Sequence, residues 1–329
     1  MELKLNSRFA QYIRDFIRLK RASGHPYVQC ESIFNKFDAM VLELFPDAET
    51  VTAPMLNKWI EIAGKGVSRN ALIRMLTPIN QFCRFLNTIG IGGSQIPAKM
   101  IGGEIKHEAY IFSREELQRF FCVVDHLTAH SAYGPVMQLT VPTVFRLMLT
   151  TGIRSGEIWR LKYDDVRFAL DEIIILQSKG HPRRVVVPHD EMLQELRIYD
   201  QKINGMFPNR NGFFVKENGN ALINQDISRW FRKFWPLSQA GFDSSLKADC
   251  SSRDFRHTFA TECIIQWLEQ GRESRAIMPY LRNYMGHSSY ESTYYYLHLV
   301  KAMRPDLAAQ IDEALNAPIP EPAPYIEEN

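Results

Sequence analysis

Residues 91–103 divide this chain. The run Ile91-Gly92-Gly93-Ser94-Gln95-Ile96-Pro97-Ala98, continuing to Gly102-Gly103, places glycine and proline where neither a helix nor a strand interior tolerates them. Such a stretch reads as a linker. With 329 residues in all, the pieces on either side are long enough to bury separate cores. The expected layout is a helical domain over 1–92, a linker over 93–109, a second domain over 110–301, a C-terminal helix over 302–317 and a flexible tail over 318–329.

The two pieces differ in pattern. Over residues 6–22, Phe9, Tyr12, Ile13, Phe16, Ile17 and Leu19 recur at helical spacing with Arg14, Arg18, Lys20 and Arg21 largely opposite, and Gly24-His25-Pro26 ends the run. Further helices are predicted over 29–45, from near Pro54, and over 67–88, where Leu72, Leu76, Ile79, Phe82, Phe85 and Leu86 face inward. Together they make a small helical bundle. In the second piece Ser113 and Glu116 form a capping box that opens a helix over 114–126, followed by one over 138–151. Residues 172–177 and 183–188 read as two short strands joined by a turn around Lys179-Gly180-His181-Pro182. From 189 to 316 the pattern is helical apart from loops near 205–221 and 236–251, and the prolines of 318–324 exclude a helix. The fold class is therefore mainly α with a small β-sheet, α+β.

Hydrophobic residues at 45% and charged residues at 23% describe an ordinary globular chain. No run approaches the roughly 18 apolar residues of a membrane helix, and Met1-Glu2-Leu3-Lys4-Leu5-Asn6 lacks the apolar core of a signal peptide. Five scattered cysteines without metal-ligand spacing point to free thiols in a reducing cytoplasm. There is neither a phosphate-binding glycine loop nor a metal-ligand cluster, so no cofactor and no metal is expected. The formal charge is only +2, but residues 302–329 hold six acids against Arg304, which leaves the remainder modestly basic and compatible with phosphate contacts.

Against that background a few segments carry chemistry. Thr151-Gly152-Ile153-Arg154-Ser155-Gly156-Glu157 puts an arginine at a loop-to-helix junction, with Glu157 three residues on and able to orient a nearby basic group. Lys179 occupies the hairpin tip. Arg253-Asp254-Phe255-Arg256-His257-Thr258-Phe259 opens another helix in which Arg253 and Arg256 share a face and His257 points elsewhere, as a core histidine would. Met285-Gly286-His287-Ser288-Ser289 follows a helix, and Tyr296 closes the run Tyr294-Tyr295-Tyr296 nine residues beyond His287. Each piece alone is unremarkable. Jointly, two arginines, a lysine and a histidine can clamp one phosphodiester, and a tyrosine nearby can attack it.

In this order and at these intervals, residues 110–300 resemble the catalytic domain of the tyrosine recombinases, the phage integrase family. Residues 6–90 look like that family's helical core-binding domain, though without a signature residue. The resemblance implies a C-shaped clamp on double-stranded DNA and a site-specific recombinase that cuts and rejoins strands through a 3′-phosphotyrosyl intermediate. It implies Tyr296 as nucleophile, Arg154, Arg256 and His287 on the phosphate, and Lys179 as proton donor to the leaving oxygen. Arg253 departs from the pattern, since the family usually has histidine or lysine there. A guanidinium can donate to a phosphate but cannot act as a base, so the proton of Tyr296 must go elsewhere. Arg69 and Arg74 in the helical domain, with Arg183 and Arg184 beside the hairpin, are the candidate DNA contacts. Type IB topoisomerase-like relaxation and a non-catalytic DNA-binding regulator are the alternatives on this fold.

Assembly is the last expectation. Over residues 304–315, Leu307, Ile311, Ala314 and Leu315 form one apolar stripe behind Pro305 and Asp306. So short a helix needs a surface to cover that stripe. The resemblance implies docking on a neighbouring subunit, in a protein monomeric when free and a homotetramer on two DNA duplexes.

Overall fold

A computed structural model describes residues 3–103, 108–127, 133–176, 183–241 and 250–316. The chain separates into two compact units, Met1–His107 and Glu108–Asn329.

The first unit is built on four helices, α1 (Ala10–Ala22), α2 (Glu31–Leu44), α3 (Ala53–Gly64) and α4 (Arg69–Thr88). Helix α1 starts four residues later than its apolar periodicity suggests. Residues 6–9 instead form a turn pinned by Asp38, whose carboxylate accepts from the backbone N–H of Asn6 and Ser7. The core is aromatic: Phe16 meets Phe34 and Phe82 edge-on, and Phe37 meets Trp59 at 89°. Such contacts add to the area buried by each ring.

The expected linker is shorter than its composition suggests. Ile96 is buried in the first unit's core, its N–H bonded to Asn80 Oδ1 at 2.9 Å, and a one-turn helix α5 (Ala98–Ile101) follows. Glycines and a proline loosen the backbone, but one buried isoleucine suffices to tie it down. The Arg69 guanidinium donates to the carbonyls of Lys99 and Gly102, both at 2.8 Å. Arg69 is thus a cap on this segment rather than a side chain held out for DNA, whereas Arg74 is exposed.

In the second unit, α6 (Arg114–Asp125) begins at the capping box foreseen in the sequence, with Ser113 and Glu116 bonding each other's backbone N–H at 3.2 and 2.8 Å. Helix α7 (Pro135–Thr151) leads into the single turn α8 (Ser155–Ile158). A three-stranded antiparallel sheet follows, in the order β1 (Val166–Arg167), β2 (Glu172–Ile175), β3 (Arg184–Val186). Strand β1 was not expected, being two residues long with no alternation to read. Ile173 faces Val186 and Ile175 faces Arg184 across β2 and β3. Lys179 lies outside the described residues.

Helices α9 (Asp190–Met206), α10 (Asp226–Ser238), α11 (Asp254–Glu269), α12 (Ser274–Met285) and α13 (Glu291–Met303) follow in this unit. Its core is another aromatic cluster in which Phe255 of α11 packs on Phe112, Phe120 and Phe145. Helix α11 is further locked at its start. Asp254 Oδ1 accepts from the N–H of Tyr110, and Thr258 Oγ1 accepts from that of Phe112.

The C-terminal segment is helical, as its apolar stripe suggests. One tight turn (Pro305–Leu307) precedes α14 (Ala308–Asn316), and Leu307 and Ile311 are buried against Leu281, Leu297 and Val300 of the chain's own second unit. Ser274 Oγ donates to the Gln310 carbonyl at 3.0 Å, and Lys301 pairs with Asp312. The apolar stripe is read correctly from sequence, and within the chain it packs on α12 and α13. Among the described residues no helix is long and apolar enough to cross a membrane.

Candidate active site

Three backbone junctions of the second unit and the middle of α13 meet at one open pocket of about 640 Å³, lined by Arg154, Arg253, Arg256, His257, His287 and Tyr296 among others. Two of the junctions turn on a glycine. At the end of α7 the chain turns through Gly152 at φ 62°, where a Cβ would lie 2.4 Å from the Phe259 ring, so only glycine fits. At the end of α12, Gly286 takes φ 64° and caps the helix, which delivers His287.

Arg154 sits at the start of α8, its Nη1 3.0 Å from Glu157 Oε1 and its Nη2 3.0 Å from the Gly286 carbonyl. Because α8 is a single turn, positive charge here comes from side chains more than from a helix end. Glu157 does orient a basic group, but a second arginine shares it: both nitrogens of the Arg184 fork donate to its carboxylate at 2.8 Å. Side chains of Glu157 and Arg184 are only 4% and 8% exposed. Burial alone would raise the Glu157 pKa. The bonds and charges of Arg184 and Arg154 outweigh it and lower the value to about 2. Arg184 is consequently not available to a DNA phosphate, in contrast to what the Arg183-Arg184 pair suggests. Arg183 is exposed.

Arg256, on the first turn of α11, is buried, and its guanidinium ties the two other junctions to its own. Nη1 donates to the Gly152 carbonyl at 2.6 Å; Nη2 donates to the Met285 carbonyl at 2.5 Å and reaches His287 Nε2 at 3.0 Å. Burial, and then the charge of Arg154, lower its pKa to about 10, which leaves it a cation at neutral pH. Arg253 caps α11 on the exposed rim of the same pocket.

Tyr296 on α13 is 3% exposed. His287 stacks on its ring at 5.8 Å and 14°. Burial raises the phenol's pKa, opposed by the charges of Arg256 and Arg154. The neighbouring tyrosines are differently employed. Tyr295 Oη accepts from the Ala109 N–H at 3.1 Å, and Tyr294 stacks on Tyr290.

One side chain at the pocket was not foreseen as functional. His257 does not enter the core, because its Nδ1 lies 3.1 Å from Tyr296 Oη. In sequence it is one step of about 100° around α11 from Arg256, so its face gives no hint of α13.

The model of the phage integrase family matches residues 122–303, more than half of the chain. The chain belongs to the phage integrase family. A Sinorhizobium fredii protein named for integrase/recombinase activity, y4rE, is 31% identical over 168 residues, covering 50% of this chain and 52% of that relative. A second protein of that organism, y4rB, likewise named, is 24% identical over 297 residues, 88% of this chain and 93% of the relative. The chain thus spans about half the length of the first and nearly all of the second. Among solved structures, the integrase of transposon Tn1549 in complex with transposon right-end DNA superposes with a TM-score of 0.61 at 16% identity, covering 91% of this chain and 98% of the other. At that identity the likeness speaks for the fold.

Proposed function

We propose that this chain is a site-specific DNA recombinase or integrase that cuts and rejoins strands through a covalent bond to Tyr296. The observation that carries the reading is a single buried tyrosine facing Arg154, Arg256 and His287 across one pocket. Family membership and the integrase/recombinase names of the two relatives support it. A Tn1549 integrase solved with transposon DNA supports double-stranded DNA as the partner.

Tyr296 Oη attacks the scissile phosphorus, the bond to the 5′-oxygen breaks, and the electron pair leaves on that oxygen. Arg154 and Arg256 hold the non-bridging oxygens, where charge grows, Arg253 adds a donor, and His287 positions the Arg256 guanidinium that holds the phosphate. Lys179 protonates the 5′-oxygen. A 5′-hydroxyl of the partner strand then attacks the phosphotyrosine and reseals the DNA, so bond energy is conserved and no nucleotide is consumed. Cutting both strands of two duplexes takes four copies of the chain, hence a homotetrameric synapse. Helix α14 covers its own stripe within one chain, in keeping with a monomer before DNA is bound. A DNA substrate places the work in the cytoplasm, with the nucleoid.

Since cationic side chains supply the charge stabilisation, strand cleavage should not need a metal. Duplexes with a randomised core and a nick beside it can be incubated with the protein in excess chelator, and covalent adducts captured and sequenced. Adduct yields equal with and without chelator are expected. A strict magnesium requirement for cleavage would replace this mechanism with a nuclease-type one.

A further inference from the structure

A phenol that attacks phosphorus must lose its proton as the new bond forms. Burial raises the pKa of Tyr296, so the group enters the reaction protonated and an acceptor must be at hand. Water is poorly placed to serve, because the residue is 3% exposed.

Besides Arg154 and Arg256, which only donate, three other basic side chains line the pocket, and their chemistry and bonding separate them. Arg253 carries a guanidinium, which donates hydrogen bonds and cannot act as a base. His287 is committed: Arg256 can only donate, so the 3.0 Å contact makes His287 Nε2 the acceptor. Its Nδ1 then carries the ring proton, 2.8 Å from Thr293 Oγ1. The lone pair of His287 therefore faces Arg256, while its ring stacks flat on Tyr296 and cannot take a proton in that plane. His257 is aimed differently. Its Nδ1 is 3.1 Å from Tyr296 Oη, with the two rings tilted at 45°.

From this geometry we propose that His257 is a catalytic residue, the general base that removes the Tyr296 proton during cleavage and returns it during resealing. The inference rests on the strand-cleavage reading and deepens it. In the forward step the Oη–H pair becomes available for the bond to phosphorus, the proton moves to His257 Nδ1, and the P–O5′ pair departs with the leaving strand. In the reverse step His257 Nδ1–H gives that proton back as the Oη–P bond breaks. Arg256, beside the phenol, favours the negative charge that builds on Oη. Arg253, at the start of the same helix, cannot be a base, and the ring four residues on supplies the function. Arg256 and His257 divide the labour by facing different ways: one toward the carbonyls of Gly152 and Met285, the other toward α13.

The test uses the full-length protein and duplexes captured as wild-type adducts from the randomised pool. Single-turnover adduct formation is compared for wild type, His257→Ala and His257→Asn, on substrates with a 5′-oxygen or a 5′-sulfur leaving group. Loss of a general base should slow cleavage on the order of 10²–10⁴-fold in both variants. The 5′-sulfur leaves without a proton, so it should rescue loss of the leaving group's acid but not loss of His257. Added imidazole should restore part of the rate to His257→Ala and none to His257→Asn, in which the side chain fills the space. Either variant cleaving within about threefold of wild type, or a defect erased by the 5′-sulfur, would overturn the proposal. Should His257→Ala fail to fold, His257→Asn decides alone: it can hydrogen-bond to the phenol but cannot accept its proton. Absence of adducts with the wild-type protein would instead overturn the strand-cleavage reading itself.

Discussion

Replacing Glu157 with alanine should destabilise the second unit by on the order of 3–5 kcal/mol, because it strands a buried arginine. The Arg184 side chain is 8% exposed and gives both arms of its fork to this carboxylate, with its Nε on the Tyr284 carbonyl. No solvent can replace the lost charge. Arg154, which also leans on Glu157, would lose the contact that fixes its approach to the pocket, so activity should fall with stability. Denaturant unfolding followed by tryptophan fluorescence measures the first effect. The isosteric Glu157→Gln, which keeps shape and drops charge, separates it from a packing loss. The pH dependence has a definite sign. A carboxyl lowered to about 2 from 4.5 stabilises the fold fully above about 4.5 and progressively loses that contribution as pH falls toward 2. The gap between wild type and Glu157→Gln should accordingly be constant at neutral pH and close only in strong acid. A Glu157→Ala protein within about 1 kcal/mol of wild type would mean that Arg184 finds another partner or reaches water.

Arg256→Ala should lower the cleavage rate on the order of 10³–10⁵-fold, the range of a phosphoryl-clamping arginine. Three consequences add up. A cation is removed from beside the reacting phosphate, the carbonyls of Gly152 and Met285 are left buried and unbonded, and His287 loses the donor that sets its tautomer. Without the positive charge the Tyr296 pKa should rise further than burial already takes it. Arg256→Lys should recover little, since an ammonium cannot span two carbonyls and a histidine as the planar fork does. The check is single-turnover adduct formation at saturating DNA, with binding measured separately. A lysine variant near the wild-type rate would show that charge alone, and not the tie between three junctions, is what Arg256 provides.

Local rules carried much of this architecture. Apolar periodicity marks α1 and α4, prolines mark the end of α2 and the start of α3, the capping box marks α6, and the intervals between Arg154, Arg256, His287 and Tyr296 mark residues that line one pocket. What escaped depends on contacts between distant segments. Ile96 looked like one residue of a glycine-rich linker because nothing in its neighbourhood announces Asn80, sixteen positions earlier, as its partner. Arg184 looked like a surface charge beside Arg183, although Glu157 lies 27 positions before it and claims both arms of its fork. The stripe of α14 was legible, but which groove would cover it was not, since α12 and α13 form that groove only once packed together. His257 was obscured by helix geometry itself, as the residue after Arg256 turns away from it and toward a helix 39 positions further on. A signal did exist: a cleavage site with no base at Arg253 needs one nearby, and His257 is the imidazole closest in sequence to that position.

The most direct measurement is to digest the covalent adduct formed on a nicked duplex from the randomised pool and sequence the peptide that retains the DNA. A 3′-phosphoryl bond to Tyr296 alone is expected, unchanged in Tyr294→Phe and Tyr295→Phe and absent in Tyr296→Phe, which should still bind the duplex. DNA attached to Tyr295 or Tyr294, a bond to a 5′ end, or adducts that persist in Tyr296→Phe would contradict this expectation.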